Sequence, residues 1–202
     1  MFEDDELAAS LKMAVAGDEE GFAVLWRSLQ PAVLRYLRVV VGDAAEDVAS
    51  ETWLQAARDL RGFDGGVPAF RVWLFRIARH RGIDELRRRG RRREEPTESI
   101  EEQAAQSPVR DVAAEVLEEM DTAWALELIA TLPQHQAEAV MLRVVAGLDV
   151  GSAAEVLGKR AGTVRVATMR GLRRLAADPR VRAWEGAAGT GSAAAVSPAE
   201  GM

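Results

Sequence analysis

From Phe70 to Arg93 the chain interleaves apolar and aromatic residues with arginine: Phe70-Arg71-Val72-Trp73-Leu74-Phe75-Arg76-Ile77-Ala78-Arg79-His80-Arg81, then Arg87-Arg88-Arg89 and Arg91-Arg92-Arg93. Between Arg71 and Arg93, ten arginines face only two carboxylates, Asp84 and Glu85. At helical spacing one side of such a segment packs while the other meets a phosphate backbone. A cationic groove with stacking surfaces is what holds single-stranded nucleic acid. A base turned out of its stack also needs a pocket, and the loop Gly62–Pro68 with its Gly65-Gly66 pair supplies one wall. Plainer readings compete. Trp73 lies in register with Leu74 and Ile77, which suits core packing, and the terminal arginines suit the negative end of a helix.

A second constellation begins at Leu132-Pro133. A helix runs to Gly147, and Asp149 can cap the next one through its side-chain oxygen. The small or apolar Ala153, Ala154 and Val156 let a further helix cross closely, and Leu157-Gly158 is a tight turn. The segment from about Ala161 to Ala176 then turns Val164, Leu172 and Leu175 inward. This is helix-turn-helix geometry, which sets the start of the last helix at base edges in the major groove. Arg160, Thr163 and Arg165 are the expected readers, with Thr168 and Met169 nearby, while Arg170 and Arg173 suit phosphates. The competing reading is an ordinary helical hairpin with a solvated basic face.

A third group is acidic. Glu46, Asp47 and Glu51 precede Leu54 and Gln55, and residues 47, 51, 54 and 55 share one helix face. Carboxylates on a DNA-binding lobe repel DNA, so this face suits a basic protein partner, or else only water. No nucleophile–base set is visible. Cysteine is absent and the two histidines, His80 and His135, are far apart, which excludes disulfides and disfavours a metal centre. No catalytic residue, metal or cofactor is expected.

The elements that must position these groups are helices throughout. Phe22, Leu25, Trp26 and Leu29 recur at helical spacing. Pro31 is placed to open a second helix carrying Val33, Leu34, Leu37 and Val40, which Gly42 stops. Asp43 is a candidate cap for the helix of Val48, Trp53 and Leu54. The helix after Pro133 carries Ala137, Val140, Met141 and Val144. The expected fold class is all-α: two small helical domains joined by a flexible acidic linker. The boundaries are an N-terminal extension 1–17, a first domain 18–93, the linker 94–121, a helix-turn-helix domain 122–178 and a disordered tail 179–202.

The net charge of −6 conceals a pattern. The basic block to Arg93 is followed, from Glu94 to Asp121, by ten acids against Arg110 alone; a second basic block follows, with seven bases against four acids from Thr122 to Ala177. Lys12 and Lys159 are the only lysines, and arginine makes bidentate contacts to phosphate and guanine that lysine cannot. No apolar run approaches the roughly 20 residues of a membrane helix, and the acidic MFEDDELAAS start is no signal peptide. A cytoplasmic protein with no membrane insertion is expected.

Two stretches resemble the extracytoplasmic-function (ECF, group IV) sigma factors of the sigma-70 family. Asp43-Ala44-Ala45-Glu46-Asp47-Val48-Ala49-Ser50-Glu51-Thr52-Trp53-Leu54, Phe70–Arg79 and Asp84-Glu85-Leu86-Arg87-Arg88 are similar to domain 2. Leu132-Pro133-Gln134, Gly147-Leu148-Asp149, Leu157-Gly158, Gly162-Thr163-Val164-Arg165 and Arg170 are similar to domain 4. The resemblance implies a transcription initiation factor, not an enzyme. It implies that Glu46, Asp47, Glu51, Leu54 and Gln55 bind the β′ clamp helices of core RNA polymerase, with the β flap as a further contact. It implies that Phe63, Arg71, Arg76, Arg79, His80, Asp84, Arg87 and Arg88 read and melt the −10 element. It also implies that Arg160, Thr163, Arg165, Thr168, Met169, Arg170 and Arg173 read the −35 element as duplex promoter DNA, and that an anti-sigma factor is a partner. His80 stands where the family usually has asparagine. The rival readings are a stand-alone helix-turn-helix regulator of duplex DNA and a helical adaptor that sequesters a basic protein.

Overall fold

The computed structural model of the chain describes residues 2–94 and 113–183, with side chains over 5–91 and 122–183. Regular structure among these residues is helical. A first lobe holds α1 (Phe2–Val15), α2 (Glu19–Val41), α3 (Ala45–Asp59) and α4 (Val67–Glu94). A second holds α5 (Ala113–Ala130), α6 (Gln134–Val140), α7 (Val150–Leu157) and α8 (Ala161–Ala177). Most of the acidic connection expected over 94–121, and most of the tail from 179, lie outside the described residues.

Asp18 starts α2, its carboxylate accepting from the Gly21 N–H at 2.8 Å, with Glu19 and Glu20 in the positive first turn. Leu25, Leu29, Val33, Tyr36 and Leu37 then form one buried stripe. Pro31 does not open a new helix as expected, because α2 runs straight through it. Its ring removes the bond to the Arg27 carbonyl. Both residues lie on the exposed side, where water can take that place, while Leu29 and Val33 anchor the turn from the core side. Gly42, at φ 62°, ends α2. Asp43 is not the cap of α3: it sits in the 3-10 turn Gly42–Ala44, and Ala44 holds the cap position with no side-chain bond.

Residues 2–15 were not singled out by their spacing, yet they form α1 and add Leu7, Leu11 and Ala14 to the core. The crossing with α2 is very close. A Cβ on Gly21 would lie 2.7 Å from both the Ser10 carbonyl oxygen and the Met13 Cβ.

In the second lobe α6 leads into a π turn, Met141–Val145, before Gly147 (φ 66°). The wider turn swings Val144 out, to 59% exposure, where the 3.6-residue period placed it inward. Asp149 caps α7 as expected, accepting from the backbone N–H groups of Gly151 (2.7 Å) and Ser152 (3.1 Å). Gly158 closes α7 in the left-handed region, φ 61° and ψ 38°. Along α8 the inward positions are Val164, Ala167 and Gly171, and Leu172 turns outward at 44% exposure instead of packing. The reason is a close crossing of α6 and α8, since a Cβ on Gly171 would lie 2.8 Å from Val140 Cγ2.

The lobes are not apart. Their buried apolar residues form one continuous cluster, with α2 against α5, α6 and the π turn, and α4 against α7.

Two outcomes follow from these close contacts. Gly21→Ala should push α1 off α2 and lower stability by about 1–3 kcal/mol, read as a lower urea midpoint. Gly90→Ala, where nothing among the described residues lies within 4 Å, should leave the midpoint unchanged or raise it. Asp149 is held below the ordinary carboxyl value of 3.8, first by the Ser152 side chain and then by the backbone N–H groups it caps. Its contribution is therefore full above pH 3.8 and fades as pH falls through the lowered folded value. Asp149→Ala should melt below the parent at pH 7, and the gap should close in acid.

Candidate nucleic-acid interface

The loop after α3 and the start of α4 bring three aromatic rings together. Phe63 lies 5.5 Å from Phe70 and 5.3 Å from Trp73, and Phe70 lies 5.6 Å from Trp73. Phe70 is buried, whereas Phe63 and Trp73 are half-buried and open onto a cleft lined by Asp59, Gly62, Asp64, Pro68 and Arg76. Phe75 belongs to the core, edge-on to Tyr36 at 5.6 Å. One side of α4 therefore packs, and a wall of mutually tilted aromatic rings is left at the helix start.

The arginines of α4 divide between two flanks. On one, Arg71, Arg76 and Arg79 face the second lobe. Arg71 lines a cleft with Gly147, Leu148 and Asp149, and its buried Nε has no partner among the described residues. Arg76 Nη1 lies 3.5 Å from Glu155 Oε1. Arg79 Nε donates to Glu138 Oε2 at 2.8 Å, with side-chain exposures of 21% and 6%. Glu138 also accepts from Gln134 Nε2 at 3.0 Å. Tyr36 sits beside this pair with its hydroxyl buried and unpartnered among the described residues; burial and then the Glu138 charge push its titration far up.

On the other flank the arginines face α3. Arg81 Nε donates to Gln55 Oε1 at 2.9 Å, and Arg81 and Arg88 lie 3.9 and 3.7 Å from Glu51 Oε2. Within α4, Arg87 pairs with Asp84 (3.4 Å), and Arg88 and Arg89 pair with Glu85 (3.3 and 3.0 Å). Arg89 also donates to the Val41 carbonyl at 3.1 Å. His80 is exposed between the flanks.

The acidic face of α3 is thus only partly free. Glu51 and Gln55 are half-buried against α4, and Glu46 lies 3.8 Å from Arg38. Asp47 is exposed and pairs with no cation among the described residues. Leu54, two helical turns on along the same face, is 57% exposed. A free carboxylate and a bare leucine on one helix face suit a protein surface better than water.

On α8, Arg160, Thr163, Arg165, Met169, Arg170 and Arg173 are exposed. Thr168 is half-buried, and its hydroxyl donates to the Val164 carbonyl at 2.9 Å, so it packs along the helix. Arg165, Met169 and Arg173 line one shallow groove with Arg143 and Leu172. Arg160 holds the cap position without a side-chain bond. Glu138, Glu155 and Tyr36 do not stand out by sequence spacing. A lone carboxylate between Ala137 and Ala139 in an apolar helix was the available signal for Glu138. Among the described residues no group of three or more His, Cys, Asp or Glu is arranged to hold a metal ion, and no helix is long and apolar enough to cross a membrane.

Comparison with known proteins agrees with this arrangement. Residues 25–92 match the family Sigma-70 region 2, and residues 122–175 match Sigma-70, region 4. The chain is 36% identical over 180 residues to the ECF RNA polymerase sigma factor SigD of Mycobacterium tuberculosis, covering 85% of this chain and 82% of that one. It is 34% identical over 187 residues to the ECF RNA polymerase sigma factor ShbA of Streptomyces griseus, covering 86% of this chain and 97% of that one. In fold it is similar to CnrH, solved in complex with the cytosolic domain of CnrY (TM-score 0.58, 23% identity, 87% of this chain and 96% of that one). It is also similar to the sigma factor RpoE of Bartonella quintana, solved with the anti-sigma factor NepR (TM-score 0.52, 23% identity, 75% of this chain and 93% of that one). With both regions matched in order and relatives of this kind along most of its length, the chain belongs to the sigma-70 family, in its ECF branch.

Proposed function

We propose that this chain recruits core RNA polymerase to a set of promoters by reading their −10 and −35 elements. The observation that carries the reading is the presence on one chain of two separate cationic helices and a free acidic–apolar face, Asp47 with Leu54. A stand-alone helix-turn-helix regulator uses only the second lobe and leaves α4 and that face without a task.

In this reading residues 18–93 and 122–178 are the two working domains. The wall of Phe63 and Trp73 receives an extruded base of the −10 strand, while Arg71, Arg76, Arg79, His80, Arg87 and Arg88 hold its backbone. Asp84 accepts from Arg87 and fixes that guanidinium. Arg165 and Thr163 reach base edges of the −35 duplex, with Arg160, Met169, Arg170 and Arg173 around them. Thr168, through its bond to Val164, positions the helix. Glu46, Asp47, Glu51, Leu54 and Gln55 dock on the β′ clamp helices, and the second lobe meets the β flap. The factor binds and orients in the cytoplasm, and the polymerase performs the chemistry. An anti-sigma factor is a further partner, as the solved complex of RpoE with NepR suggests by likeness.

Run-off transcription with purified core polymerase on genomic promoter fragments tests the reading, and a chain that binds core without directing any start site overturns it. Asp47→Arg should weaken core binding about tenfold or more in a titration with labelled polymerase, with DNA contacts unchanged. Arg165→Ala should leave core affinity intact and cost about 1–3 kcal/mol at one −35 position, read as lost discrimination between promoter variants.

A further inference from the structure

Along α8, Gly162, Val166, Met169 and Arg173 recur at helical spacing on the side opposite the buried Val164, Ala167 and Gly171. All four are exposed. The outermost line of the helix is therefore apolar where it begins, Val166 with Met169, and cationic only further on, at Arg173. Arg165 and Arg170 stand exposed on either side of that line. None of these three arginines pairs with a carboxylate among the described residues.

Neither Gly162 nor Val166 has a packing task within the chain. A Cβ on Gly162 would meet nothing within 4 Å among the described residues, so no close crossing asks for glycine there. Glycine is a poor helix former, and a β-branched valine gives up side-chain freedom in a helix. Val166 meets that cost and still faces water. We infer that the −35 element contains a thymine whose C5 methyl seats against Val166 and Met169, with Gly162 letting the start of α8 lie close to the groove floor. The inference deepens, and rests on, the assignment of α8 to duplex DNA made above.

The arrangement of charge favours DNA as the occupant. A major groove carries phosphates along both rims, and the thymine methyl is the apolar group on its floor. An apolar strip with an uncompensated guanidinium on each edge matches that section. A protein partner would have to supply acids along both edges of one narrow strip. An apolar side chain donates and accepts nothing, so what it distinguishes is the methyl itself: thymine from cytosine, and equally thymine from uracil. A bare backbone at Gly162 permits the close approach that such a short contact needs.

The test uses the full chain loaded on purified core polymerase. Duplexes are enriched from a library randomised over the −35 element. They are then remade with each thymine replaced in turn by deoxyuridine, which removes the methyl and keeps every hydrogen-bonding group. One position should lose about fourfold in affinity, the effect of one buried methyl. Val166→Ala should bind the thymine duplex more weakly by a similar factor and should lose most of the difference between thymine and uridine. Gly162→Ala should keep or raise the urea midpoint while binding the duplex several-fold more weakly. Equal binding at every substituted position overturns the inference. So does a uridine effect that survives in both Val166→Ala and Met169→Ala. A Val166→Ala chain that loses core affinity and keeps its DNA preferences makes the strip a protein-docking surface, and overturns it as well. A library that enriches no duplex removes the −35 assignment and this contact with it. Enrichment with a uridine effect, in a chain that directs no start site, keeps the contact and removes the promoter role alone.

Discussion

Positive charges set along one helix repel each other, and much of the first lobe is arranged to offset that repulsion on α4. Asp84 and Glu85 answer it from within the helix, Glu51 and Gln55 from α3, and Glu138 and Glu155 from the second lobe. Each bond is modest where water reaches it. Together they fix which guanidinium points where, so the cationic face is a pattern and not a cloud. The buried side of α4 supplies the rigidity this needs: Phe70, Leu74, Phe75 and Ala78 are almost completely enclosed.

The helix-turn-helix lobe is positioned by backbone chemistry more than by charge. The Asp149 cap, the left-handed Gly158 and the close approach at Gly171 set the start, turn and depth of its two last helices. With the inward side of α8 reduced to Val164, Ala167 and Gly171, its arginines all project outward on a short lever from the lobe's core. This is the geometry that a groove-reading helix requires.

Much of this was legible in the sequence. The helices that carry Trp53 and Trp73, the stop at Gly42, the cap at Asp149 and the turn at Gly158 each rest on local stereochemistry, which travels with the residue. The errors lie where tertiary contact overrules it. Pro31 stays inside α2 because buried neighbours hold the helix across a missing bond on the wet side. Val144 is swung out by a π turn that no period of 3.6 anticipates, and Leu172 yields its inward place to a glycine. Among the candidate binding residues, those exposed on α8 follow from spacing alone. The partners of Arg76 and Arg79 do not, because Glu138 and Glu155 lie more than fifty positions away and meet them only through the docking of the two lobes.

The continuous apolar cluster carries a thermodynamic consequence for selectivity. Parting the lobes uncovers greasy surface, so any DNA or protein that gains from the parted form must first supply that free energy. A ligand that engages both lobes at once gains from two surfaces for a single opening.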